Sequence, residues 1–199
     1  MSGLIIHKIT IGETIHTVAI FGCTLTSPIE VTTLINHGQT IGNKFHVTIQ
    51  LMNAAKVAGY HHLLFAIIHA LRAFHQGKQR ASNIGMEILR FAAAQRQIAR
   101  ALEILGITND TKQLAGVIVS GSRRYLNRVY THFLSATGGH SSPEVLDVTS
   151  REKEEELQEA FKISSVELEA TAVSRRTRDR RQAIKKIIYE HCALQSIAR

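Results

Sequence analysis

The sequence predicts a mixed α/β fold of the α+β kind: a small, largely antiparallel sheet packed with several helices. Three observations carry this. Short runs rich in β-branched residues, such as Leu4-Ile5-Ile6-His7-Lys8-Ile9 and His16-Thr17-Val18-Ala19-Ile20-Phe21, stand close together around Gly12 and Glu13. Longer proline-free stretches place apolar residues at helical spacing. One stretch, about 84–105, is apolar on two sides, which marks a helix lying between other elements. Residues 1–163 are read as one domain, and 164–199 as a basic helix or strand extension packing on it or flanking it.

Taken in order, the first two runs are expected to be strands. Pro28 to His37 reads as a short helix with Ser27 as its cap and proline in the first turn. Phe45 to Leu51 alternates as a third strand. A helix is expected from about Ala55 to Gln76, ending at Gly77, with Tyr60, Leu63, Leu64, Ile67, Leu71 and Phe74 on one face. The central helix runs from a cap at Ser82 or Asn83 to Gly106. Ile88, Phe91, Ile98, Leu102 and Leu105 form one apolar arc, and Met86, Leu89, Ala93 and Ile104 form another. Gln95 falls inside the first arc, where an unpartnered amide is costly.

Leu114 to Val119 reads as a buried strand leading through Ser120-Gly121-Ser122 into a helix over about 123–136. Gly138 to Pro143 is a loop by composition, and Val145 to Val148 a short strand. Thr149 with Glu152 three residues later forms a capping box for an acidic helix. Ala183 to Tyr189 reads as helix, and Cys192 to Ile197 as a strand or frayed end.

Charge narrows the function. The net +8 is uneven: residues 1–71 carry +1, 72–100 carry +5, 101–150 are neutral and 151–199 carry +2. Between 72 and 100 the six basic residues Arg72, Lys78, Arg80, Arg90, Arg96 and Arg100 meet one carboxylate, Glu87. Arginine stems also cover apolar surface while their heads stay wet, but the shortage of carboxylates favours a polyanion-binding surface. Arginine forks and glutamine amides suit phosphates and splayed single strands. A second cluster, Arg175 to Lys186, holds seven basic residues against Asp179.

Other chemistry finds less support. His61, His62, His69 and His75 lack an HxxxH pair and acidic partners, so packing or surface roles are expected rather than a metal. The Ser120–Ser122 turn lacks a phosphate-loop pattern and reads as a tight turn with a serine cap. No catalytic constellation and no cofactor motif is legible. There is no apolar run near membrane-spanning length and no secretory leader, and the two cysteines, Cys23 and Cys192, are far apart, so a cytoplasmic protein with free thiols is expected.

Several motifs together resemble a known family. Met86-Glu87-Ile88-Leu89, Gln95-Arg96-Gln97-Ile98, Ala101-Leu102 and Gly106 are similar to the most distinctive helix of the small tRNA-recruiting, kinase-binding subunit of the archaeal and eukaryotic KEOPS complex. Asn53-Ala54, His62 and His69-Ala70 extend the likeness upstream, and Phe161-Lys162-Ile163 and Ala193-Leu194 downstream. The first 45 residues match loosely, and Ser164 to Arg181 is longer and more basic than the pattern. The resemblance implies a mixed α/β, noncatalytic accessory subunit in threonylcarbamoyl-adenosine modification of tRNA. It implies binding to the small lobe of a kinase-like ATPase, capture of the single-stranded CCA end of tRNA, and indirect association with the transferase subunit. From charge and motif position, Arg96, Lys78, Arg80, Arg90 and Arg100 are expected to contact phosphates, while Gln95 and Gln97 meet a base edge or order the arginines. A stand-alone RNA-binding protein, and an enzyme using the Ser120–Ser122 turn on a phosphorylated small molecule, are the alternative readings.

Overall fold

The computed structural model describes residues 3–174 and 176–197. β1 (Leu4–Ile11) and β2 (Thr14–Leu25) form an antiparallel hairpin in which Ile11 faces Thr14. Gly12 turns the chain at φ +58°, as a two-residue hairpin loop requires. After α1 (Val31–Phe45) come β3 (Thr48–Asn53), a 3-10 turn at Ala54–Lys56, and α2 (Tyr60–His75). Next are α3 (Ile84–Ala92), α4 (Ile98–Leu105), β4 (Gln113–Ser120), α5 (Leu126–Thr137) and β5 (Gly139–Ser141). The chain ends in α6 (Arg151–Phe161), α7 (Ser165–Thr171) and α8 (Thr177–Ile197). All strand pairings are antiparallel, in the order β1-β2-β4-β3, with β5 beside the end of β2. The mixed α/β class with a largely antiparallel sheet is therefore what forms.

Alternation along β2 places two helical layers on the sheet. Val18 and Ile20 point to the face covered by α2 and α3, while Ala19 and Phe21 point to the face covered by α1 and α5. The Phe21 ring crosses β4 at Gly116, where a Cβ would lie 2.0 Å from it. Burial on both faces is why β2 and β4 read as continuous apolar runs rather than strict alternation. A third cluster stacks outside α2: Leu157, Phe161 and Ile163 pack with Leu168, Ile184, Ile187, Ile188 and Cys192.

Several expected boundaries move. The first helix begins at Val31, with Glu30 as cap and Ser27 and Pro28 outside it, and runs through Phe45. α2 starts at Tyr60 because Asn53 caps a separate 3-10 turn and Gly59 sits at φ +107°. Pro143–Leu146 is a 3-10 turn rather than a strand, and the expected 138–143 loop contributes β5. Ser150, not Thr149, caps α6, accepting from the Lys153 N–H at 3.2 Å. The expected strand or frayed end after Cys192 continues α8.

The central helix differs most. The expected single rod over 84–105 is two helices joined by residues 93–97. Asn83 caps the start, accepting from Met86 N–H at 2.9 Å. The end is a Schellman motif: Ala94 N–H donates to Phe91 O and Gln95 N–H to Arg90 O. Ala94 occupies the left-handed position, φ +52°, usually held by glycine. The Ala92 carbonyl, which would continue the ladder, accepts instead from His62 Nε2–H at 2.8 Å and Cys192 Sγ–H at 3.7 Å. Ala92, Ala93 and Ala94 thus span the end of a helix rather than its middle.

Candidate nucleic-acid interface

Both ends of α3 carry the residues singled out for RNA contact. Lys78 and Arg80 lie exposed on the turn before it, and Arg96 and Gln97 lie exposed on the joint after it. Gln95 is half-buried in that joint. Arg100 is exposed on α4 and paired with Glu103 at 2.6 Å. With Arg100 65% exposed, this ion pair contributes little and competes weakly with a phosphate.

Arg90 is the correction. It is 3% exposed and sits inside the protein, so it is not a surface phosphate ligand. Its Nη2 donates to Glu87 Oε1 at 2.6 Å and its Nη1 to the Gln95 carbonyl at 3.1 Å, and the guanidinium lies 4.2 Å from the Phe91 ring centre. Glu87, fully buried, accepts through Oε2 from the N–H groups of Arg80 at 3.2 Å and Ala81 at 2.9 Å. One buried ion pair thus ties the Lys78–Arg80 turn to the Gln95–Gln97 joint. Sequence reasoning took Glu87 as a lone carboxylate and missed it as the anchor. The available signal was its position three residues before Arg90, on the same helical face.

Behind the joint is a cavity of about 210 Å³ lined by Ala94, Gln95, Phe161, His191, Leu194 and Gln195. It joins three stretches far apart in sequence: the joint, the end of α6 and the last turns of α8.

The competing sites resolve into structure. His62 is fully buried, its Nδ1 accepting from Ala58 N–H at 3.1 Å. Since Nε2 donates to Ala92, the ring is neutral, and burial pushes its pKa down to about 4. His69 lies between the Phe65 and Phe91 rings. Among the described residues, no three His, Cys, Asp or Glu side chains gather as metal ligands. Ser122 caps the 3-10 turn at Arg123–Tyr125, and Ser120 Oγ donates to the Ser122 carbonyl, so the turn is satisfied locally. In the 175–186 cluster, Arg175 lies outside the described residues. Arg180 and Arg181 both pair with buried Glu154, at 3.3 and 2.6 Å. Lys185 lies 3.8 Å from Asp147 and Lys186 4.0 Å from Glu190. Both cysteines are buried free thiols with pKa values pushed up by burial to about 12. No helix among the described residues is long and apolar enough to cross a membrane.

The fold and this surface define a mixed α/β protein that displays cations on two loops braced by one helix. Residues 30–196 match the family model described as kinase binding protein CGI-121. The chain belongs to this family of kinase-binding proteins. No curated protein matches the sequence.

Proposed function

We propose that this chain is a noncatalytic accessory subunit of a KEOPS-type complex in the cytoplasm. It holds the single-stranded CCA end of tRNA and docks a kinase-like ATPase, supporting threonylcarbamoyl-adenosine modification through indirect association with the transferase subunit. The observation that carries this reading is the buried Glu87–Arg90 pair, which fixes two cation-bearing loops to one helix. Lys78, Arg80, Arg96 and Arg100 contact phosphates. Gln95 and Gln97 address the base edges, with the cavity beside Gln95 receiving a terminal base. Arg90 serves as a positioning residue.

A gel-shift comparison of intact tRNA with tRNA lacking its three terminal nucleotides tests the reading. The intact form is expected to bind at least about tenfold tighter, and affinity is expected to fall steeply with salt. Arg96→Glu with Lys78→Glu is expected to abolish the difference. Equal binding of both tRNAs favours a stand-alone RNA-binding protein, and binding untouched by the double charge reversal removes the site.

A further inference from the structure

Residues 101–150 are neutral in sum, and the fold undoes that balance. Asp110 precedes β4, while Arg123, Arg124 and Arg128 follow it. β4, eight residues and about 26 Å long, separates them. Glu144 lies at the Asp110 end, because the nearby Ser142 N–H donates to the Gly22 carbonyl, and Gly22 pairs with Ala115 near the start of β4. Glu103 and Asp147 sit beside Arg100 and Lys185. The end of the sheet where β4 finishes therefore keeps its arginines with these carboxylates drawn away.

A second helix brings more charge there. α1 finishes at Phe45, whose ring lies 5.9 Å from Tyr125 and 5.5 Å from His132. Lys44 Nζ stands 5.7 Å from the centre of the Phe45 ring, and the Arg124 guanidinium 5.3 Å from that of Tyr125. Lys44, Arg123, Arg124 and Arg128 are all exposed, and among the described residues none pairs with a carboxylate. Glu13, exposed on the β1–β2 turn, pairs with none of them. Arg100, Arg151 and Arg180 are exposed too, yet each has a carboxylate at 3.3 Å or less. A polar cleft lined by Asn43, His46, Thr48 and Ser120 opens at this end. The Lys78–Arg80 turn starts from the same end. α2 finishes over the β1–β2 turn, where a Cβ on Gly12 would lie 2.6 Å from the His75 ring, and Lys78 follows three residues on.

We infer that this end of the sheet is a second RNA contact, one that grips the phosphate backbone of a paired stem. Exposed, unpaired cations spread over two elements suit a row of phosphates better than one compact anion. The half-buried Phe45 and Tyr125 rings already carry a cation each, so the patch offers charge rather than faces for unstacked bases. Paired RNA is met through its backbone and shape in this way. The inference rests on the reading that this chain binds tRNA. The loops around α3 then hold the single-stranded end, while Lys44, Arg123, Arg124 and Arg128 hold the stem behind it.

The test is a gel-shift series on the full chain with intact tRNA, tRNA lacking its three terminal nucleotides, and a blunt RNA duplex of stem length. Arg123→Glu with Arg124→Glu is expected to weaken binding of all three at least about tenfold and to lower the slope of log affinity against log salt by about two. Lys44→Glu, on the other element, is expected to lower that slope by about one. These side chains are exposed, so melting temperatures are expected to stay near wild type. Arg176→Glu with Arg178→Glu makes the same charge change at the start of α8 and is expected to leave duplex binding within about threefold. Duplex binding by the Arg123 and Arg124 variant within about twofold of wild type overturns the inference, as does an equal loss in the α8 control. A wild-type chain that binds intact tRNA but neither truncated tRNA nor duplex also overturns it, and leaves the functional reading standing. Equal wild-type binding of intact and truncated tRNA removes the CCA-end reading; with the Arg123 and Arg124 loss retained, it supports the inference.

Discussion

Glu87→Gln is the perturbation that most directly probes the brace. It leaves the Arg90 guanidinium, 3% exposed, without its counter-charge. It also weakens the acceptor shared by the Arg80 and Ala81 N–H groups. Breaking one partner of a buried ion pair typically costs about 3–5 kcal/mol. At about 2–4 °C per kcal/mol for a chain of this size, the melting temperature is expected to fall by roughly 6–20 °C. Urea unfolding of Glu87→Gln, Arg90→Met and the double variant gives the cycle. The double variant is expected to lose less than the two singles together, because no uncompensated charge remains. Gel shifts on the same proteins, well below their melting points, are expected to show weaker tRNA binding, since the Lys78–Arg80 turn has lost its anchor. A Glu87→Gln protein within about 1 kcal/mol of wild type would refute the brace, as would strict additivity in the cycle.

Three further outcomes are expected. Burial holds the folded pKa of His62 at about 4 against an ordinary 6.5, so the unfolded chain takes up this proton first. Stability from this group is full above about pH 6.5 and is lost as pH falls toward 4, by roughly 3 kcal/mol. His62→Gln should flatten that slope in urea unfolding followed across the same range. Ala94→Gly relieves a left-handed alanine and is expected to raise stability by about 1 kcal/mol, measured by chemical denaturation; a loss would mean packing of the methyl outweighs backbone strain. Ser150→Ala should cost about 1 kcal/mol while Thr149→Ala costs close to none, which melting curves of the two variants distinguish.

Much of the architecture was legible because it depends on local pattern. β1, β2 and β4 were readable from β-branched runs, and α2 from a stripe running Tyr60 to Phe74. The break after α3 was not readable, because alanine is the best helix former and Ala94 gives no local stop signal. Long-range partners set that break: His62 from α2 and Cys192 from α8 both take the Ala92 carbonyl. β5 was missed because three residues, Gly139 to Ser141, gain strand geometry only from pairing with Cys23–Leu25. At the candidate site, exposure of Lys78, Arg80, Arg96, Gln97 and Arg100 followed from their charge or polarity. Arg90 did not, since side-chain type alone cannot separate a surface guanidinium from one paired inside with Glu87.

The ion pair across one turn of α3 also makes the two loops a single mechanical part. Transplanting either loop alone onto another scaffold would strand a charge or leave amides without an acceptor. A designer borrowing this surface must carry the stretch from Asn83 to Gln97, helix and joint alike, together with the preceding turn as one cassette. Retuning one loop's reach will be felt in the other through the shared carboxylate and guanidinium.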